Sequence, residues 1–339
     1  MIQPALPEPN NAPELRSWRE EMRTAVRSAA ELCATLGVSA TDVVGGCAQH
    51  SDFPVLVPRS FLARMRHGDA SDPLLAQVLA RRIEQVDAPG FVTDPLQELS
   101  LATDGVPRKY AHRALLITTA ACPLHCRYCF RRHFPYADQF ASRGRWRHVL
   151  QRLRQSPDVE EVILSGGDPL SLSTARLGEI VAALEAIDTV TTLRIHTRFP
   201  IVVPARVTAA LLQLLEATRL QTVVVVHCNH ANELDDDAVR HALNRLSLNT
   251  DLLLNQSVLL RGVNDSVAVL RELSRALFHA KVAPYYLHLL DPVAGAAHFD
   301  VPIAEARPLM RRLRAVLPGY LVPRLVRERP GEPGKTLIV

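Results

Sequence analysis

Three cysteines fall close together in the run Cys122-Pro-Leu-His-Cys126-Arg-Tyr-Cys129. Thiolates at this spacing are metal ligands, and two chemistries compete for them. Three thiols can hold a four-iron cluster by three of its irons and leave the fourth open for chemistry. A structural zinc wants four ligands. His125 or His133 could supply the fourth, but the chain has no second Cys-x-x-Cys pair. Spacing and context favour iron and sulfide. The remaining cysteines, Cys33, Cys47 and Cys228, stand alone in the sequence and read as small buried hydrophobes.

A second chemical signal is scarcity. Of 39 basic residues only Lys109, Lys281 and Lys335 are lysine. Arginine keeps its proton at working pH and cannot form a Schiff base, whereas lysine can. Lys335 lies in Gly331-Glu-Pro-Gly-Lys335-Thr336, where the plain alternative is a solvated charge. A third segment, Ser165-Gly166-Gly167-Asp168-Pro169, is either an ordinary turn or a place where glycine lets backbone carbonyls approach a ligand.

These groups need elements to hold them. Residues 1 to about 105 read as helical, over 14–28, 29–36 with a stop at Gly37, 58–67 and 72–85, without a convincing strand. From about residue 111 short β-branched runs alternate with amphipathic ones. The predicted strands are 114–119, 161–164, 191–196, 221–227, 252–259 and 283–289. The predicted helices are 145–155, 174–186, 205–216, 235–246, 266–279 and 303–317. Six β-then-α units imply an α/β fold with a parallel sheet and helices outside it. Polar residues gather at the C-terminal end of each strand, which favours a partial (β/α)6 barrel over an open doubly wound sheet. The cysteines then follow the first strand, where such folds place active sites. The expected organisation is a helical segment over 1–105, the barrel over 106–320 and a tail over 321–339. That tail is rich in Arg, Pro and Gly and either crosses the barrel mouth or frays.

Composition narrows the class. The chain has 339 residues, 47% of them hydrophobic, enough for one large domain with an appended smaller one or for two ordinary domains. A net charge of +4 without a dense basic stripe gives no reason to expect direct nucleic-acid or membrane-surface binding. No stretch reaches the length of a membrane span, and no signal peptide is evident, so the cytoplasm is the expected compartment. There, clustered cysteines are metal ligands or catalytic groups more often than disulfides.

The spacing Cys-x3-Cys-x2-Cys, with Tyr128 before the third cysteine, resembles the radical S-adenosylmethionine superfamily. The resemblance implies a [4Fe-4S] cluster on Cys122, Cys126 and Cys129. It also implies S-adenosylmethionine chelated by the open iron, and one-electron cleavage to a 5′-deoxyadenosyl radical. More specifically, the chain resembles the lysine 2,3-aminomutases over roughly 105–339. The motifs that carry this are Arg108-Lys109-Tyr110-Ala-His-Arg113, Leu164-Ser-Gly-Gly-Asp168, His196-Thr-Arg198-Phe-Pro200, Val226-His-Cys-Asn-His230, Asn255-Gln256-Ser-Val-Leu-Leu-Arg261-Gly-Val-Asn264-Asp265, Pro284-Tyr-Tyr-Leu-His288-Leu-Leu-Asp291 and the Lys335 segment.

That resemblance implies roles. Lys335 would hold pyridoxal 5′-phosphate covalently. Lys109, Arg113 and His288 would face its phosphate, although the family tends to have tyrosine where His288 stands. Ser165, Gly166, Gly167, Asp168, His196 and Gln256 would lie against the cofactors. Arg131 would clamp the substrate carboxylate, for which a planar fork is suited. Asp291 and Glu328 would receive the substrate ε-ammonium, Glu328 standing where the family usually has aspartate. The chain stops four residues after Lys335, a compact form similar to the branch that makes (R)-β-lysine for elongation factor P. A separate ligase attaches the product there, and flavodoxin or ferredoxin would donate the electron. The rival expectations are an aminomutase for another amino acid such as glutamate, a catalytically silent cluster protein that binds a translation partner, and a zinc-stabilised binding module.

Overall fold

The structure, a computed structural model, describes residues 17–48, 51–98, 112–135, 143–332 and 334–339. Ahead of the sheet the chain forms α1 (Trp18–Arg23), α2 (Ala29–Leu36), α3 (Arg59–Leu62) and α4 (Pro73–Ala76). α2 matches its predicted bounds. The Ser28 hydroxyl accepts the Glu31 N–H at 3.1 Å, and Gly37 ends the helix at φ 64°, where only glycine sits without strain. The other three are shorter than predicted. The helix expected over 14–28 stops at Arg23, because Val26 and Val57 exchange both backbone hydrogen bonds at 2.8 and 2.9 Å. Residues 14–16 lie outside the described residues. The helix expected over 72–85 stops at Ala76. Buried Gln77 turns its side chain toward Glu233, and the Ala80 carbonyl accepts the Ala48 N–H at 2.9 Å. Helix propensity, under about 0.7 kcal/mol per residue, yields to such pairing.

The barrel strands are β1 (Arg113–Thr119), β2 (Glu161–Gly166), β3 (Thr192–Thr197), β4 (Gln221–Val226), β5 (Leu252–Val258) and β6 (Ala283–His288). They lie side by side in sequence order, every neighbouring pair parallel. A doubly wound sheet reverses its strand order at a switch point; this sheet does not, and it ends on two edges as a partial barrel should. Successive side chains point to opposite faces. One face, including Leu116, Leu164, Ile195, Val224 and Leu253, is buried beneath the helices. The other carries Ile163, Ser165, Arg194, His196, Val225, His227, Gln256, Tyr286 and His288, which line an interior cavity.

The outer helices are α5 (Arg143–Arg154), α6 (Thr174–Glu185), α7 (Phe199–Val202), α8 (Ala209–Ala217), α9 (Asp237–Leu248), α10 (Val267–His279) and α11 (Ile303–Val316). Side-chain caps start several of them: Ser173 for α6, Thr208 for α8, Asp236 for α9 and Ser266 for α10. Each such cap contributes about 1 kcal/mol. α9 shows why these segments pack as they do. Val239, Ala242, Leu243 and Leu246 recur at helical spacing and are its buried face. The Thr208 cap also explains a difference from expectation. The predicted helix over 205–216 begins only at Ala209, after a separate 3-10 turn at Pro204–Arg206.

The tail adds two strands that were not predicted. β7 (Arg324–Arg327) pairs parallel with β6, and β8 (Thr336–Leu337) pairs antiparallel with β7. Leu325 and Ile338 anchor them in a core shared with Leu287 and Leu313. Among the described residues no helix is long and apolar enough to cross a membrane.

Candidate active site

The cavity has a volume of about 290 Å³ and runs along the inside of the sheet. Cys122, Cys126 and Cys129 line it, just beyond the C-terminal end of β1. Arg113, at the opposite end of the same strand, also lines it. The thiols face inward because the residues between them are held from behind. Leu124, Arg127 and Tyr128 are buried. The His125 and Arg127 N–H groups donate to the Leu56 and Gln77 carbonyls at 3.1 and 2.8 Å. The Arg127 guanidinium, fully buried, pairs with Glu84, donates to the Phe53 carbonyl at 2.7 Å and to Ser51 Oγ at 2.9 Å. Arg132 joins the same Glu84 carboxylate at 2.9 Å. The N-terminal segment therefore grips the cysteine loop.

This grip bears on the zinc alternative. His125 Nδ1 is bonded to the Pro54 carbonyl at 2.8 Å, and His133 Nε2 to the Ala294 carbonyl at 3.0 Å. Each ring therefore keeps one nitrogen as its only possible ligand atom, Nε2 of His125 and Nδ1 of His133. Burial and the neighbouring thiols push Cys122 well above the usual thiol range, and chiefly burial pushes Cys129 to about 11. A bound cation reverses that bias by taking the thiolate as ligand.

The segment after β2 forms the next wall. Gly166 has φ 120°, and a side chain on it would lie 2.7 Å from the Thr119 carbonyl. A side chain on Gly167 would lie 2.4 Å from the Ala121 carbonyl. The glycines thus let the ends of β1 and β2 close on each other, so that Ser165 through Asp168 reach the cavity beside the thiols. Asp168 lines the cavity, but its carboxylate is taken up by the protein. It accepts from Thr197 Oγ1 at 2.8 Å, Arg198 N at 2.6 Å and Leu170 N at 3.0 Å, tying the end of β2 to the end of β3. Burial outweighs these bonds and raises its carboxyl to about 6.

Arg131 is buried and enters the cavity with both edges of its fork engaged. Nε and Nη2 donate to Glu98 at 2.6 and 3.0 Å, and Nη1 donates to Ser165 Oγ and the Gly166 carbonyl. Glu98 is a residue the sequence reading missed. Arg113 pairs with Glu161 at 3.4 Å, and Glu161 also accepts from Nε and Nη2 of Arg194 at 3.0 and 2.7 Å. Lys109 lies outside the described residues.

His196, Gln256, His288 and Asp291 also line the cavity. Burial, aided by Arg194 and Lys335, holds His196 well below the usual imidazole range, so it is neutral. Gln256 approaches its Nδ1 at 3.5 Å, while its buried Nε2 has no partner among the described residues. Tyr286 packs edge-on to His288 with ring centroids 5.7 Å apart. Lys335 arrives by register. β7 and β8 pair Arg327 with Thr336, so the next pair outward is Glu328 with Lys335. Their side chains form an ion pair at 2.5 Å, and both line the cavity.

Three thiols beside a close-set glycine wall, an inward neutral imidazole with an unsatisfied nitrogen and a lysine that shares the cavity with Arg113 and His288 fit the three cofactors that the resemblance implies. Comparison with known proteins gives the same direction. Residues 116–249 match the model of the radical SAM superfamily. The chain is 46% identical to L-lysine 2,3-aminomutase of Escherichia coli (strain K12), over 96% of this chain and 95% of that protein. It is 42% identical to the protein of that name from Haemophilus influenzae, over 96% of each. It is 32% identical to that of Clostridium subterminale, over 95% of this chain and 77% of that protein.

Proposed function

The chain belongs to the lysine 2,3-aminomutase family of radical SAM isomerases, and we propose that it converts L-α-lysine to (R)-β-lysine in the cytoplasm for attachment to elongation factor P. The family's cofactors are a [4Fe-4S] cluster, S-adenosylmethionine and pyridoxal 5′-phosphate. When bound, they supply a carbon radical that takes and returns a substrate hydrogen, and a conjugated ring that stabilises the shift of nitrogen from C2 to C3. The observation that carries the reading is that groups from distant parts of the chain line one cavity: Cys122, Cys126 and Cys129, then Asp291, Glu328 and Lys335.

In this reading the chain binds, orients and shields. Cys122, Cys126 and Cys129 hold the cluster, and the wall from Ser165 to Asp168, with His196 and Gln256, borders the cofactors. Lys335 holds pyridoxal phosphate, with Lys109, Arg113 and His288 toward the phosphate. Arg131 receives the substrate carboxylate in the fork that Glu98 fills here. Glu328 already holds one alkylammonium, that of Lys335. With Asp291 it would hold that of the substrate once Lys335 is engaged elsewhere. A glutamate side chain would face two carboxylates, which argues against the glutamate reading. Residues 1–105 then serve as brace, 106–320 as catalytic barrel and 321–339 as carrier of the lysine. A flavodoxin or ferredoxin supplies the electron.

Chiral chromatography of the amino acid formed from L-lysine tests the proposal. We expect (R)-β-lysine, which a β-lysine ligase then attaches to the factor with the corresponding gain in mass. The (S) isomer, or turnover of glutamate and not lysine, would overturn it.

A further inference from the structure

Behind the cysteine loop lies a buried polar network that the roles above leave unused, centred on Arg198. Its backbone is fixed, since Arg198 N donates to Asp168 Oδ2 at 2.6 Å. Its guanidinium is almost fully buried. Nη1 donates to Cys126 Sγ at 2.7 Å and to Tyr128 Oη at 2.8 Å. Nη2 donates to Gln77 Oε1 at 2.9 Å and to Glu233 Oε2 at 3.0 Å. Glu233 is completely buried, and its other oxygen accepts from the N–H groups of Asn229 and His230 at 2.9 and 3.1 Å. The carboxylate cannot move toward the sulfur, and the guanidinium cannot leave it without stranding a buried charge.

We infer that Arg198 is a positioning residue for the cluster, whose hydrogen bond to the Cys126 sulfur raises the cluster's reduction potential and whose charge Glu233 partly cancels. The inference rests on the cluster reading of the three cysteines. Reduction adds one electron to a cluster already held by thiolates. A charged donor on a ligand sulfur stabilises that added negative charge, and hydrogen bonds to the sulfurs are among the protein's means of setting the potential. The arrangement also gives the N-terminal segment, through Gln77, a hand in the electron transfer that starts the reaction.

The test is an anaerobic redox titration of the reconstituted chain, without S-adenosylmethionine, followed by the electron paramagnetic resonance of the reduced cluster. Glu233→Gln leaves the donor and removes its counter-charge, so the reduction equilibrium should move toward the reduced state. The double variant Arg198→Met with Glu233→Gln removes the pair together, and should move it about tenfold toward the oxidised state, about 59 mV for a one-electron couple. Opposite signs are the signature, because general loosening would move both variants the same way. Arg198→Lys keeps the charge with a poorer reach; it should shift about threefold toward the oxidised state and serves if the double variant does not fold. Variants that titrate with the wild type, or together in one direction, overturn the inference alone. A wild-type chain that takes up no iron and sulfide overturns the cluster reading beneath it.

Discussion

Lysine and arginine carry the same charge but differ in what they can lose. Lys335→Arg should keep the ion pair to Glu328 and hence nearly the wild-type melting temperature. It should also end both turnover and the retention of pyridoxal phosphate through desalting, because a guanidinium forms no Schiff base. Retained pyridoxal absorbance in that variant would contradict the role given to Lys335. The buried imidazoles give a second prediction at this scale. Burial first, then Arg194 for His196 and Arg198 for His227, holds both rings well below the ordinary value. The unfolded chain binds their protons near pH 6.5 and the folded chain does not, so stability falls as pH drops through that value. Asp168, raised to about 6, acts in the opposite sense and favours the fold as it protonates, mostly below that pH. Melting of the cofactor-free protein should therefore fall between pH 7.5 and 6, and His227→Gln should flatten the slope. A profile that rises on acidification would contradict this account. Cys122, Cys126, Cys129 and Lys335 were legible in the sequence because rarity and spacing mark them. Glu98, Glu84 and Glu233 were not, because their arginine partners lie 33, 43 and 35 residues away, and no local pattern announces such a pairing.

Among elements, the N-terminal segment has the least obvious role and the clearest test. Glu84, with Arg127 and Arg132, forms a buried cluster behind the cysteine loop. Removing the carboxylate leaves two guanidinium groups facing each other out of water, and breaking such a pair costs about 3–5 kcal/mol. Glu84→Ala should lower the unfolding midpoint in urea accordingly and reduce the iron retained after reconstitution. An unchanged midpoint would show that the segment does not grip the loop. The barrel strands and their helices were readable from apolar runs and capping residues, to within about one to three residues at most ends. The tail strands were not. Arg324–Arg327 becomes a strand only because β6 offers an edge, and Thr336–Leu337 only because β7 does. The overlong helices at the N-terminus have the converse cause: partners distant in sequence, such as Val57 for Val26, take over the backbone.

For the molecule as a whole, the central claim is that one cavity brings together an oxygen-sensitive metal site and a covalent cofactor site from opposite ends of the barrel sequence. Sequential strand order makes this possible, since it places β1 and the tail strands β7 and β8 on the two flanks of one curved sheet. Side chains from β1 to β6 and from the tail meet in the interior. Closing such a space against water and oxygen protects reactive intermediates, and the apolar layer packed between sheet and helices supplies the rigidity. At this scale the proposed hold of Asp291 and Glu328 on the substrate ammonium has its own test: Asp291→Asn should raise KM for lysine more than it lowers kcat, measured by product formation across substrate concentrations. The most direct measurement is anaerobic turnover of isotopically labelled lysine by the reconstituted chain, with S-adenosylmethionine, pyridoxal phosphate and a reductant, followed by NMR. The account predicts β-lysine, reduced to background when any one of the three cofactors is withheld. No β-lysine from protein carrying its full complement of iron, sulfide and pyridoxal phosphate would contradict it.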